Sequence, residues 1–276
     1  MKSRQSIGDM CNLSVAERYD PKSKKWIKNN DVQASCFIST ELVDVELQLA
    51  MLSTVAGVEE ERIKDGLFDK HEEERLNYAS ELIEKAEIYC EYISDFSIDE
   101  IEDIIEKNII RYGVGFVFFD YIQVVPKLAR ELNNLFGYNL REDQMLNQFS
   151  GALKQLANKY DVFILTSTQL NRSYKTDSQP DATWLRGSMS VLDKADYGVI
   201  TMRCTKKDIA EIQHILDEDF GSIEPTHAHH VIKNRGGTWT AVIIWVNMDL
   251  DTINVTDCFV TTQNFERIDK IQKVIL

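Results

Sequence analysis

Solid apolar runs alternate along this chain with stretches whose apolar positions recur every three or four residues, as strands and helices following one another would. The most informative run is Phe116–Gln123, FVFFDYIQ, which ends its apolar part in a single carboxylate, Asp120. A strand without polar alternation is buried on both faces and belongs inside a parallel sheet covered by helices. Ala34–Ser39 (ASCFIS), Asp161–Ser167 (DVFILTS) and Tyr197–Met202 read as further strands, with a short one near 88–93. Between them the spacing predicts helices over about 4–18, 43–56, 59–66, 72–87 and 142–159. Another runs from Ser97 to Arg111, with capping-box spacing between Ser97 and Glu100. Residues 20–33 read as a basic loop or small hairpin, and Pro126–Arg141 as a polar stretch. After a helix over about 206–218, alternating segments near 229–234, 240–247 and 253–261 predict antiparallel strands.

Composition narrows the class. The chain has 276 residues, 43% hydrophobic and 28% charged, a globular make-up sufficient for one large domain over 1–276. An acid-rich helical segment over about 41–112 reads as solvated helix faces. No apolar run reaches membrane-spanning length, and Met1-Lys2-Ser3-Arg4 opens a polar segment, so no membrane association is expected. The five cysteines (Cys11, Cys36, Cys90, Cys204, Cys258) lack CxxC spacing and read as buried thiols in a reducing, cytoplasmic setting. A net charge of −14 excludes a generally sticky nucleic-acid binder, so any DNA contact is local or built by oligomerisation.

Candidate chemistry sits at strand ends. A carboxylate at the carboxyl end of a buried strand lies in the crevice where open α/β sheets bind ligands. In nucleotide-hydrolysing folds such a residue holds Mg²⁺ beside the phosphates; the plain alternative for Asp120 is a cap on the following turn. Ser39-Thr40-Glu41 places Glu41 at a second strand tip, and Ser167-Thr168-Gln169 places Gln169 at a third. A glutamate can act as general base toward water, an aspartate can hold the metal, and a glutamine can orient water or sense a γ-phosphate. Other matches carry little. Asp219-Phe220-Gly221 lacks the loops that accompany a kinase DFG, and His227, His229 and His230 lack further ligands at zinc spacing.

FISTEL, FFDYIQ, TSTQLNR, LRGSMSVLDKADYGVI and VIKNRGGTWTAVIIWV occur in one order and spacing. In this the chain resembles, along nearly its whole length, the RecA-like motor domain of DnaB-type replicative helicases. The resemblance implies an α/β RecA-like P-loop NTPase core, with a largely parallel central sheet flanked by helices and C-terminal antiparallel strands. It further implies a hexameric ring driven by ATP and Mg²⁺ along single-stranded DNA, with a primase or helicase loader as further partner. Glu41 matches the family's catalytic glutamate, Asp120 its Mg²⁺-side aspartate and Gln169 its coupling glutamine. Lys233 and Arg235 match the basic pair that reaches a neighbouring subunit's ATP, Arg235 as arginine finger; the alternative is a solvated turn before Gly236-Gly237. Leu185-Arg186-Gly187-Ser188 resembles the DNA-facing loop, although an acidic residue usual after the arginine is missing; Arg186, Gly187 and Ser188 are its candidate contacts, and a plain turn the alternative.

The chain departs from the family at its start. A GxxxxGK[ST] loop cradles phosphates with backbone N–H groups, its lysine reaches the β/γ oxygens and its hydroxyl binds Mg²⁺. Here only Lys2-Ser3 match the end of that motif, with Met1 where its last glycine would stand. The first P-loop strand is then missing, and the chain alone is expected to hydrolyse ATP poorly. Two readings stay open: a helicase motor domain, and a non-catalytic subunit or decoy that joins and modulates a helicase ring. Retention of Glu41, Asp120, Gln169 and Arg235 together favours the first.

Overall fold

The computed structural model of the protein describes residues 2–169, 189–218, 223–237 and 239–268. They fall into two compact units. One holds the described residues up to 169 with Leu250–Asn254; the other holds those from 189 to Asp249 and from Val255 onward.

In the first unit, α1 (Lys2–Ser14) leads through a hairpin, β1 (Glu17–Asp20) and β2 (Lys25–Lys28), into β3 (Ser35–Ser39). The helices α2 (Asp44–Ala56), α3 (Glu60–Asp65) and α4 (Lys70–Lys85) carry the chain to β4 (Ile88–Tyr92). Then α5 (Ile98–Tyr112) leads to β5 (Phe116–Asp120), and α6 (Pro126–Phe136) with α7 (Glu142–Tyr160) leads to β6 (Phe163–Thr166). The strands lie in the order β4-β3-β5-β6 and are all parallel, so each delivers its carboxyl end to the same edge.

Alternation along the strands divides the core, because successive side chains point to opposite faces. Phe37 of β3 and Phe118 of β5 stack with ring centroids 6.4 Å apart. They pack with Ile7 and Met10 of α1, Leu47 and Met51 of α2, and Leu76 of α4. One residue on, Phe119 faces the other way and meets Phe149 of α7 at 5.3 Å and Phe96 at 5.4 Å. Burying a phenylalanine in such a cluster stabilises the fold by roughly 1.5–3 kcal/mol. The helices α1, α2 and α4 therefore share one face of the sheet, while α5, α6 and α7, packed on one another, share the opposite one.

Local chemistry sets the helix ends, and twice the structure departs from expectation. The capping box is present: Glu100 N–H donates to Ser97 Oγ (3.2 Å), and Ser97 N–H donates to Glu100 Oε2 (2.9 Å). The stretch Pro126–Arg141, expected to be polar and irregular, opens with helix α6. Pro126 sits in its first turn, where a missing N–H costs nothing, and Gly137 ends it at φ 75°, a conformation that favours glycine. Leu128 and Leu132, one turn apart, are both buried, and that packing overrides the polar composition around them. The second departure is β6, expected to be buried on both faces. Phe163 is 55% exposed because β6 is an edge strand.

The second unit contains α8 (Met189–Lys194), β7 (Tyr197–Arg203), α9 (Lys206–Glu211), α10 (Gln213–Glu218), β8 (His227–Asn234), β9 (Val242–Asp249) and most of β10 (Asn254–Thr262). Its sheet runs β10-β9-β8-β7, antiparallel where β7 meets β8 and β8 meets β9, as the alternating segments predict. The helix expected over 206–218 is two short ones with the fully buried Ile212 between them. Trp245 is buried against Phe259 and donates its indole N–H to Thr261 Oγ1 at 2.9 Å. All five cysteines are free thiols; Cys11 and Cys36 are buried as expected, whereas Cys90 on the outer strand β4 is exposed. No helix among the described residues is long and apolar enough to cross a membrane.

The histidines lie on β8. Burial first, then the charges of His227 and His230, hold His229 down at about 4, and its Nδ1 shares a 2.8 Å hydrogen bond with Thr201 Oγ1. The ring stays neutral in the folded protein while the unfolded chain takes up a proton below about 6.5. Stability is therefore intact above about pH 6.5 and falls as pH drops from there toward 4, by up to about 3 kcal/mol. The urea midpoint is expected to drop between about pH 7 and 4.5. His229→Asn is expected to lose less over the same range; an equal loss in both proteins would clear His229 as the cause.

Candidate nucleotide site

The pairing of β3 with β5 builds the site. Their register sets Ser39 opposite Asp120, so the residues that follow each strand emerge side by side. Thr40 ties the two ends together: its N–H (3.0 Å) and its hydroxyl (2.9 Å) both donate to the carbonyl oxygen of Asp120. Gln123 Nε2 then donates to Thr40 Oγ1 at 2.8 Å. On the other side Ile122 N–H donates to Ser167 O (3.0 Å) and Thr166 Oγ1 donates to Phe119 O (2.8 Å), which fastens the end of β6. Three strand ends are thus held as one rigid edge.

Glu41 stands on that edge. Ser39 Oγ donates to Leu42 O (2.7 Å) and accepts from Leu42 N–H (2.9 Å), closing a tight turn with Glu41 exposed at its tip. The hydroxyl of Tyr121 reaches across from β5 and donates to Glu41 Oε1 at 3.0 Å. Asp120 is fully buried as the last residue of β5, and the peptide bond to Tyr121 is cis. By strand alternation Asp120 shares the face of Phe118, the face that carries α1. Lys2 and Ser3 open α1 on that same face, and Gln169 follows the end of β6, partly buried. Glu41, Asp120 and Gln169 therefore all lie at one edge.

The donors suit a hard cation. Asp120 is a carboxylate, and Ser39 and Thr40 beside it are neutral oxygens. Among the described residues no group of three or more His, Cys, Asp or Glu could hold a metal ion. A single carboxylate at a nucleotide edge fits Mg²⁺, which is bound through one or two carboxylates together with substrate phosphates and water. Thiol chemistry has no place here, since burial pushes Cys36 and Cys90 up to about 12.

The remaining candidates lie in the second unit or outside the described residues. Lys233 Nζ donates to Leu192 O (2.8 Å) and Asp193 O (2.9 Å), the last carbonyls of α8, where a cation also meets the negative end of the helix. Arg235 is exposed in the turn after β8; its N–H donates to Asp196 O (2.8 Å), and its guanidinium makes a long 3.4 Å contact with Asp196 Oδ1. Arg186, Gly187 and Ser188 fall outside the described residues. Sequence reasoning missed Tyr121, Thr40 and Gln123, although Tyr121 and Gln123 lie within FFDYIQ. A hydrogen bond between residues 80 apart, such as Tyr121 to Glu41, leaves no local signal.

Comparison with known proteins agrees with this geometry. A Bacillus subtilis (strain 168) protein described as SPbeta prophage-derived uncharacterized protein YorI is 38% identical over 97% of this chain and 54% of its own length. The replicative DNA helicase DnaB of Rickettsia felis is 20% identical over 74% of this chain and 40% of its own length. The chain thus spans about half, or less, of these curated relatives. Two solved structures share the fold at a TM-score of 0.63 and 18% identity, each covering 81% of this chain. One is described as an ATPase domain and is matched over 74% of its length. The other, described as a DnaB-like replicative helicase and its interactions with primase, is matched over 50%. The profile of the DnaB-like helicase C terminal domain matches residues 11–253, and the chain belongs to that family.

Proposed function

We propose that the chain is the ATP-driven motor domain of a DnaB-type replicative helicase, acting as a subunit of a hexameric ring that moves along single-stranded DNA. The observation that carries this reading is the position of Glu41 beside Asp120, at one edge of a parallel sheet and clamped by Tyr121. In this reading Asp120 and the Ser3 hydroxyl hold Mg²⁺, and Lys2 reaches the β/γ oxygens of ATP. Bound Mg²⁺ supplies neutralisation of the phosphate charge. Glu41 takes the proton of the attacking water, and the Tyr121 hydroxyl fixes which way its carboxylate faces. Gln169 couples the γ-phosphate to the DNA-facing loop with Arg186, Gly187 and Ser188. Arg235 serves a neighbouring subunit's ATP, while Lys233, anchored on the α8 carbonyls, positions the turn that presents it. A primase or a helicase loader is the further partner.

Two experiments test these roles on a polypeptide in which this chain is joined to the remaining part of the Bacillus relative. DNA-stimulated ATP turnover is expected, and Glu41→Gln is expected to lower kcat by about 10²-fold or more with nucleotide affinity kept. An unchanged kcat would remove Glu41 as general base. Absence of turnover in the unmutated protein, with depressed unwinding when this chain is mixed into an intact ring helicase, would favour the non-catalytic subunit.

The second experiment mixes variants. Arg235→Ala alone is expected to lose about 10³-fold in turnover, as removal of an arginine finger does. Mixed with Glu41→Gln subunits, it is expected to regain part of the activity, because some interfaces then join an intact Glu41 to an intact Arg235. No recovery in mixed rings would place Arg235 outside a shared site.

A further inference from the structure

The sheet of the first unit is unfinished at β6. Phe163 N–H donates to Gly115 O (2.9 Å) and Ser167 O accepts from Ile122 N–H (3.0 Å), so the odd-numbered residues of this strand turn their backbone groups toward β5. In a parallel ladder alternate residues bond to opposite sides, which turns the N–H and C=O of Ile164 and Thr166 outward. Among the described residues no strand pairs with that outer side. Natural edges are blunted by charge, proline or a bulge. The sequence FILT has none of these, and Phe163 is 55% exposed beside Phe116, whose ring lies 5.9 Å away.

Topology says what belongs there. From β3 to β4 the chain crosses one way with α2 and α4 on the face that carries α1; from β4 to β5 to β6 it crosses the other way, with α5, α6 and α7 on the opposite face. Crossovers between parallel strands are right-handed in about 98% of cases, so direction and face are coupled. A strand that feeds α1 and continues to β3 uses the α1 face, and must therefore start on the β6 side of β3. There β5 and β6 hold the inner two positions. The next position lies outside β6.

We propose that the outer edge of β6 is a docking site for a fifth parallel strand, an apolar segment about as long as β6 that runs into the N-terminal turn of α1. Its hydrogen bonds go to Ile164 and Thr166, its side chains cover Phe163, and its carboxyl end arrives at the edge that holds Glu41 and Asp120. Backbone pairing supplies the affinity and the apolar edge selects an apolar strand, as in other cases of strand addition. The inference rests on sheet topology and stands whether or not the protein turns over ATP.

The test joins a strand of alternating valine and isoleucine ahead of Met1 through a glycine-rich linker, in the otherwise full chain. Amide exchange at Ile164 and Thr166 is expected to slow at least tenfold relative to the unextended chain, and the urea midpoint to rise. Ile164→Pro removes an N–H that faces only outward, a place where edge strands tolerate proline. It is expected to abolish the gain and leave the unextended chain folded. A donor strand with proline at alternate positions cannot pair and is expected to give no gain, a control that leaves residues 1–276 untouched. Unchanged exchange at both amides, or protection that survives the proline-containing donor, would overturn the proposal. So would protection at Ile164 and Thr166 in the unextended chain accompanied by dimerisation, which would assign the edge to a second copy.

Discussion

Two hydrogen bonds from one threonine hold the centre of this molecule together. Thr40 gives both its N–H and its hydroxyl to the carbonyl of Asp120, so the chain leaving β3 and the last residue of β5 cannot separate. Everything at the edge inherits that constraint. Glu41 follows Thr40 by one residue, and Tyr121 follows Asp120 by one, which is why the tyrosine hydroxyl finds the glutamate carboxylate. A buried aspartate one strand away from an exposed, oriented glutamate separates a charge-holding group from a proton-accepting one. Water-assisted hydrolysis of a phosphoanhydride needs that separation of duties.

The two faces of the sheet support the edge unequally. On one, α1 lies over β3 and β5 with Ile7 and Met10 in the apolar cluster, and brings Lys2 and Ser3 to the face Asp120 occupies by alternation. On the other, Phe96, Phe119 and Phe149 form a compact aromatic group that fixes α7 against β5. The turn that presents Arg235 depends on different contacts, its own N–H on the Asp196 carbonyl and the Lys233 ammonium on the end of α8. A guanidinium on such a turn is exposed yet positioned, as a group used by another subunit has to be.

Much of this was legible in the residues. FVFFD announces a strand buried on both faces with a carboxylate at its tip, and the structure places that strand between β3 and β6 with Asp120 fully buried. Glu41 and Gln169 were readable as strand-tip groups because Ser and Thr punctuate the apolar runs before them. What failed to show was long-range. DVFILTS carries the same apolar signature as a central strand, and nothing local tells it that one neighbour is absent, so the exposure of Phe163 came as a correction. The asparagines near the end of α6 masked its helical leucine spacing, which only the burial of Leu128 and Leu132 makes decisive. Lys233 read as a free cation in a turn, whereas its ammonium is spent on the carbonyls of Leu192 and Asp193, some 40 residues away in sequence.

The most direct measurement is a crystal structure of the protein with Mg²⁺ and a non-hydrolysable ATP analogue. The account predicts the triphosphate at the carboxyl edge of β3, β5 and β6, with the Asp120 carboxylate turned toward the metal and Glu41 facing the γ-phosphate across a water. A triphosphate bound elsewhere on the molecule, or at that edge with both carboxylates turned away, would contradict it.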